Sequence, residues 1–488
     1  MLLSFRALAS LLCFAGALSL SGRNIAPVSG VENDGAMLLE EHGDGTFSIT
    51  YTFTQPHAAL VFGQAPESYR AGVWTSDTPQ ASVQAIGDMD VLVFEAPSTE
   101  ATFQFTPSSE DLRKAYTAFL PFTGGDWAVL TGQFRLKPAD SLSALEAHDG
   151  SAETWPTEDL ELTLTIRSDR PVWLGGQKYL SDAQTVPESD DTYAYIGELE
   201  PLSATSFVGF VDPSLPAWIQ DGFDAALLEI FDELSAGWGF ELPEKSTLFF
   251  SFRGLEREGL HLTGGALDGG VLALEVGGNA LEAPIPEIAT YLEWFFAHEA
   301  AHLYQTAGGI EPDDPDHAWI HEGSANTMAH AVAAGRTDDQ ATFLNEVYGR
   351  AFDDCTAYLE TGPLTEAASQ GAFDAYYACG DFMALMTDAA LPDLTIYDFW
   401  NRLKADALAT HEGKITATLY FDTLSALGAP EDRINDIKMV DHGTFAEPRA
   451  QFLELLQAAG LEIGLDEAGN PEQFRLYAAQ DQAALARP

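Results

Sequence analysis

The chain has 488 residues, enough for roughly two to four domains and a sizeable core, and its apolar share is ordinary for a globular protein. Its charge is not ordinary: 75 acidic residues face 23 basic ones, for a formal net charge of −52. Nucleic acid and anionic membrane surfaces repel such a chain, which excludes both as partners, and the acidity reads as solubility in a saline medium rather than as a dock for a basic partner.

At the N-terminus Arg6 supplies a positive charge ahead of residues 7–20, an uncharged apolar run too short to span a bilayer comfortably. Small residues at Ser19, Ser21 and Gly22 offer cleavage points. Residues 1–21 therefore read as a secretory signal, and the protein as exported to the periplasm or medium. Cys13 follows Leu11 and Leu12, not a small residue, which argues against a lipoprotein signal. No later stretch reaches transmembrane length, so no membrane span is expected in the mature chain. After cleavage only Cys355 and Cys379 remain. In an oxidising compartment they are a disulfide candidate, worth on the order of 3 kcal/mol in the chain-entropy model; the alternative is two buried thiols.

From about residue 30 to 210, short runs alternate apolar and polar residues, as in 46–53 and 160–166, between clusters of Gly, Pro, Asp and Ser. This pattern predicts an antiparallel, sandwich-like β domain over 22–212, closed by the boundary sequence Asp212-Pro-Ser-Leu-Pro216. Beyond Ala217 the period changes. An amphipathic helix is expected over 218–237, a strand over 246–253, and a Gly-rich then strand-like stretch over 264–276. A helix follows from near Pro286, a residue suited to a first turn, to Gly308-Gly309. The acidic loop 311–316 reads as a solvated turn rather than a calcium site. Further helices are expected over 320–334, 338–360, 373–390, 395–405 and 448–459. The expected organisation is a catalytic domain over 213–440 and a helical C-terminal segment over 441–488.

The chemistry concentrates in Ala297-His-Glu-Ala-Ala-His-Leu-Tyr-Gln305. On a helix His298 and His302, four apart, share one face and can reach one metal ion. Glu299 sits one step round, where its carboxylate can take the proton of a water acidified by zinc. The bland alternative is a helix whose histidines only pack. Against it, Phe295, His298, Glu299 and His302 follow i, i+3, i+4, i+7, so the motif continues a buried stripe that includes Ile288, Leu292 and Leu303. A third ligand is needed, and Trp319-Ile-His-Glu-Gly-Ser-Ala325 offers Glu322 or, beside it, His321. Asn326, one turn beyond Glu322, could support a ligand, while His317 and His330 read as surface or packing residues.

His-Glu-x-x-His followed by Trp-x-x-Glu-Gly-x-Ala resembles the gluzincin metallopeptidases, in particular the aminopeptidase N family. The resemblance implies one zinc ion per chain held by His298, His302 and Glu322, with Glu299 as general base. It departs from the family pattern in placing 19 residues between His302 and Glu322 where the family has eighteen, and in carrying His321 where the family has Asn. At the strict spacing His321 would itself be the ligand. Gly265-Ala266-Leu267-Asp268-Gly269 resembles the family's Gly-x-Met-Glu-Asn. Asp268 then falls where the family's Glu holds the substrate's free α-amine, and the backbone about Gly265 and Ala266 can pair with an extended peptide. The alternative is a Gly-rich turn before a strand. Tyr376-Tyr377-Ala-Cys-Gly380 resembles the family's Tyr-x-x-Gly, which makes Tyr377 the oxyanion donor and Tyr376 the spare candidate.

The resemblance covers Pro213 to about Met439. It implies a multidomain fold: an N-terminal antiparallel β domain, then a thermolysin-like α+β, mostly helical catalytic domain. The function it implies is an exported zinc aminopeptidase acting on peptides. Asp in place of Glu at 268 keeps an endopeptidase on the same scaffold open. A non-catalytic, zinc-retaining binding protein of the cell envelope is the other alternative, and an intact Glu299 argues against it.

Overall fold

The computed structural model describes residues 33–63, 69–108, 117–148, 152–184, 192–267, 270–313, 315–467, 469 and 471–475. The expected signal segment 1–21 lies outside them. The chain is multidomain, with a β-sheet N-terminal region and a helical C-terminal region, and it divides into two compact units. One holds the described residues up to Pro216 together with Lys245–Ala283; the other holds Ala217–Glu244 and the described residues from Pro284 on.

The first unit is built from strands β1 (Gly35–Glu41), β2 (Phe47–Phe62), β3 (Thr75–Ser76), β4 (Ala81–Ile86), β5 (Met89–Phe105), β6 (Phe119–Phe122), β7 (Asp126–Leu130), β8 (Leu136–Ala139), β9 (Leu162–Arg167), β10 (Val172–Leu174), β11 (Gln177–Tyr179), β12 (Ala183–Gln184) and β13 (Tyr193–Ile196), followed by β14 (Leu202–Ser203), β15 (Phe207–Val211), β16 (Ser246–Phe252), β17 (His261–Leu267) and β18 (Val271–Gly277). They form three sheets. The first runs β12-β9-β1-β2-β5-β3, with β4 on β5 and β8 on β2; the second runs β11-β10-β13-β7-β6; the third runs β14-β15-β16-β18-β17. An antiparallel N-terminal domain was the expectation, and β1 corrects it: it pairs antiparallel with β2 but parallel with β9. Parallel neighbours need a long crossover, which the strands between β1 and β9 supply.

The middle sheet shows why the layers stack. Its strands are apolar on both faces, and the period of two sends alternate residues opposite ways. Val129, Ala194 and Ile196 join the core of the first sheet with Leu39, Ile49 and Phe103. Their neighbours Ala128, Leu130, Tyr193 and Tyr195 join a second core with Val208, Phe210 and Phe249 of the third sheet. In that third sheet β15, β16 and β18 are parallel, and their near-continuous apolar runs are those of strands covered on both faces. β17 lies antiparallel on β18 as the last strand of the sheet.

The second unit holds α1 (Phe223–Trp238), α2 (Pro286–Thr306), α3 (Trp319–Arg336), α4 (Gln340–Leu359), α5 (Asp374–Ala390), α6 (Ile396–Thr410), α7 (Ala417–Ala426), α8 (Glu431–His442) and α9 (Pro448–Ala458). α7 and α8 were not anticipated. α8 buries only Ile434, Ile437, Val440 and Asp441, too thin an apolar stripe to register as a period. The expected helical segment after 441 is also corrected. α9 is followed by an antiparallel hairpin of Glu462–Leu465 and Pro471–Arg475. Phe474 of that hairpin is buried against Tyr348 and Phe382, and its N–H donates to Asn345 Oδ1 at 2.8 Å. Cys355 of α4 and Cys379 of α5 are joined by a disulfide. Among the described residues no helix is long and apolar enough to cross a membrane.

Candidate metal centre

Two helices of the second unit carry the site, and local sequence fixes each. α2 opens at Pro286, whose missing N–H costs nothing in a first turn, and stops before Gly308, which takes a positive φ of 85°. Its apolar stripe, including Ile288, Leu292, Phe295 and Phe296, is buried, and this turns His298 inward with it. α3 is pinned at its start by Trp319, whose indole Nε1 donates to Asp441 Oδ1 of α8 at 2.9 Å. One turn on, α3 crosses α5 at two glycines. A Cβ on Gly323 would lie 2.0 Å from the carbonyl carbon of Gly380, and one on Gly380 would lie 3.0 Å from the Gly323 Cα. Only glycine permits backbones to meet this closely. Glu322 and Tyr377, which neighbour these glycines, are thereby held near each other.

Three atoms converge. Glu322 Oε2 lies 3.2 Å from His298 Nε2 and 3.1 Å from His302 Nε2, and the two Nε2 atoms are 3.1 Å apart. Ligands about 2.0–2.2 Å from a tetrahedral ion stand about 3.3–3.6 Å from one another, so this triangle needs to open by only a few tenths of an ångström to hold zinc. His298 is sealed in, with a side chain 4% exposed, whereas His302 and Glu322 are 17% and 15% exposed and form the open side. These are the residues that bring metal-binding atoms together in a group of three among the described residues.

The electrostatics of the triad express a demand for positive charge. Burial opposes a charged His302, but the carboxylate of Glu322, its hydrogen bond, and the nearby Glu299 outweigh it and lift the imidazole to about 9. Burial likewise opposes a charged Glu322, yet the two imidazoles hold its carboxyl well below the usual carboxylate range. A proton on His302 balances the carboxylate where a cation would otherwise do so.

Glu299 is half-buried, one residue round from His298, and its charge is felt at His302. Tyr377 stacks on His298, with ring centroids 5.7 Å apart, and is half-buried. Tyr376 points elsewhere: it is buried, and its hydroxyl accepts the Ala368 N–H at 3.1 Å. His321 is not part of the converging group: its ring lies edge-on to Trp400 at 5.2 Å, and burial, with the positive charge at His302, pushes it down to about 3. Asn326 donates from Nδ2 to the Tyr377 carbonyl at 3.4 Å. His330 is buried, with Nδ1 2.9 Å from Asp381 Oδ2. Gly265 and Ala266 lie on β17 of the other unit, and Asp268 lies outside the described residues.

One residue escaped the sequence reading. Gln305 is fully buried, with Oε1 2.8 Å from His302 Nδ1 and Nε2 donating to the His321 carbonyl at 3.0 Å. The signal was available: Gln305 is three residues beyond His302, hence its neighbour on the helix surface.

No protein-family model and no curated protein matches the chain. Solved structures do. An aminopeptidase N family protein from Idiomarina loihiensis superposes with a TM-score of 0.59 at 14% identity, covering 90% of this chain and 81% of that one. An M1 zinc metallopeptidase mutant from Deinococcus radiodurans, bound to a Tyr-Ser-Ala substrate, gives 0.43 at 13% identity over 84% of this chain and 93% of that one. Leukotriene A4 hydrolase from Saccharomyces cerevisiae gives 0.44 at 13% identity over 83% and 66%. At these identities the likeness to the Idiomarina protein is one of fold, and the two weaker likenesses add nothing to it.

Proposed function

We propose that this chain is an exported, zinc-dependent peptidase of the aminopeptidase N type, and that it removes residues from peptide N-termini. The observation that carries the reading is the convergence of His298 Nε2, His302 Nε2 and Glu322 Oε2 within 3.2 Å of one another beside Glu299 and Tyr377. The fold shared with the Idiomarina protein and the motif resemblance point the same way.

His298, His302 and Glu322 hold the ion. When bound, zinc supplies a Lewis acid that polarises the scissile carbonyl and acidifies water. Glu299 takes the proton of the attacking water and delivers it to the leaving amine as the C–N bond breaks. The Tyr377 hydroxyl donates to the oxygen on which charge develops. By the motif resemblance, Asp268 is assigned to the substrate ammonium and the backbone about Gly265 and Ala266 to pairing with an extended peptide. Export follows from the signal-like residues 1–21.

The test is a digest. Mature protein with zinc meets a mixture of free and N-acetylated peptides, read by mass spectrometry, with Glu299→Gln as control. Stepwise N-terminal loss from free peptides alone is expected. Glu299→Gln should keep one zinc per chain and lose about 100- to 10,000-fold in kcat. Internal cuts in both peptide sets would replace the aminopeptidase with an endopeptidase, the second reading that Asp in place of Glu at 268 keeps open. Zinc uptake without any cleavage would leave a binding protein.

A further inference from the structure

We infer that Gln305 is the positioning residue of the metal centre, fixing through one side-chain amide both the tautomer of His302 and the seat of the helix that bears Glu322. The inference rests on the reading of the triad as a zinc site.

Donors and acceptors decide the arrangement. The His321 carbonyl can only accept, so the Gln305 atom facing it at 3.0 Å is the amide nitrogen. This decides the orientation of the amide, and the atom 2.8 Å from His302 Nδ1 is then the amide oxygen, which only accepts. Nδ1 must therefore carry the hydrogen. A neutral imidazole with its hydrogen on Nδ1 has its lone pair on Nε2, the atom that meets His298 Nε2 at 3.1 Å and Glu322 Oε2 at 3.1 Å. Gln305 thus holds a hydrogen on Nδ1, so that when an incoming cation displaces the second proton it is Nε2 that is left with the lone pair.

The second bond of the same amide reaches the other helix. The His321 carbonyl immediately precedes Glu322 in the first turn of α3, so Gln305 ties the C-terminal part of α2 to the residue beside the third ligand. Gln305 is fully buried, and neither bond is exchanged easily for water. Lone-pair direction at His302 and placement of Glu322 are set together.

The experiment measures zinc affinity, by competition of zinc alone against a colour-changing chelator, for wild type, Gln305→Leu and Gln305→Glu. Leucine keeps the volume and removes both bonds. Glutamate restores the acceptor for His302 Nδ1–H. The expected result is a loss of about 10- to 100-fold in zinc affinity for Gln305→Leu, the size of effect that outer partners of ligating histidines have, with most of it recovered in Gln305→Glu. Gln305→Leu binding zinc as tightly as wild type overturns the inference, and so does Gln305→Glu binding no better than Gln305→Leu. If Gln305→Leu does not fold, the tautomer is read directly in zinc-loaded wild type labelled with 15N-histidine. A protonated Nδ1 at His302 supports the inference, and a protonated Nε2 overturns it. Wild type that takes up no zinc is a different failure: it removes the metal reading itself, and the inference with it.

Discussion

At one end of α3, Glu322 meets His298 and His302; two turns on, His330 of the same helix meets Asp381 of α5. Both are buried histidine–carboxylate groups, but their inventories of hydrogens differ. Asp381 accepts the Thr327 hydroxyl at 2.6 Å on one oxygen and has the His330 ring 2.9 Å from the other. Trp294 and Tyr348 pack on that ring, and the two side chains are 10% and 1% exposed. The ring and the carboxylate lie within ion-pair distance, although no hydrogen bond joins Nδ1 to Oδ2, and the pair is largely closed to solvent. At the triad the Nδ1 hydrogen of His302 is committed to Gln305, three metal-binding atoms converge with only a proton on His302 to offset the carboxylate, and one side is open. The first group is a clasp between helices. The second is short of positive charge.

The contrast is broken most sharply by removing one carboxylate from each group. Glu322→Ala should weaken zinc binding by more than the roughly 100-fold that loss of an outer hydrogen bond costs. Its metal-free fold should be little affected. Asp381→Ala should do the reverse: one zinc per chain retained, and stability lowered by about 1–3 kcal/mol because the Thr327 hydroxyl loses its buried acceptor and His330 the carboxylate beside it. Chelator competition and urea unfolding, run on both variants, check the double dissociation. Zinc loss in Asp381→Ala without loss of stability would erase the distinction.

The neighbouring tyrosines give a second, smaller test. Tyr377 stacks on His298, whereas the Tyr376 hydroxyl is taken by the Ala368 N–H. Tyr377→Phe should lower kcat by about 100-fold with little change in KM. Tyr376→Phe should leave kcat near wild type and cost about 1 kcal/mol of stability. Equal effects on kcat would mean that position beside His298 does not decide the role.

The motif glycines connect the two groups, since α3 and α5 touch at Gly323 and Gly380 between Glu322 and His330. Gly323→Ala would drive a methyl to within 2.0 Å of the Gly380 carbonyl carbon. The helices must part, which should lower stability by about 3 kcal/mol and weaken zinc binding as Glu322 moves off the histidines. A Gly323→Ala protein with normal thermal stability and normal zinc affinity would show that the close crossing is not what seats Glu322.

These cases also mark how far sequence reached. The spacing of His298 and His302 is legible because the helical period alone puts i and i+4 on one face. Glu322 and His321 are adjacent residues about 100° apart on a helix, and spacing alone leaves the choice between them open. It turns on how α3 is rotated, which Trp319 on Asp441 and Gly323 on Gly380 fix through residues more than 50 positions away. Gln305 is close in sequence, but its second bond runs to the His321 carbonyl, and backbone acceptors leave no mark in a sequence. In the β region the alternation of Tyr193, Ala194, Tyr195 and Ile196 announces a strand buried on both faces, but not that the two faces belong to different cores. The terminal hairpin was missed because its four- and five-residue strands are too short for a period to show.

Lys404 extends the comparison to a buried charge with no carboxylate beside it among the described residues. Its ammonium donates to the Tyr304 carbonyl and lies 5.1 Å from the Trp238 ring centre and 5.0 Å from that of Phe240. Burial therefore lowers its pKa to about 8, where the carboxylates of Glu322 and Glu299 raise His302 to about 9. The consequence for stability has a definite sign. Below pH 8 both folded and unfolded chains carry the proton, and the folded state bears the full cost of burying it. Between about 8 and the ordinary value of 10.5 the folded chain releases the proton while the unfolded chain keeps it, so this contribution to stability rises with pH. The full shift corresponds to at most roughly 3 kcal/mol, and the bond to Tyr304 and the ring contacts bring the expected gain to about 1–2 kcal/mol. Lys404→Met should remove that rise. Urea midpoints of wild type and Lys404→Met from pH 7 to 10.5 check it through their difference, in which other titrations cancel. A difference that stays flat across the window would mean that the aromatic rings and the carbonyl solvate the ammonium as well as water does. A counter-charge would then not be needed to hold a cation in this core, and the demand for positive charge at the triad would have to be argued from its three converging lone pairs alone.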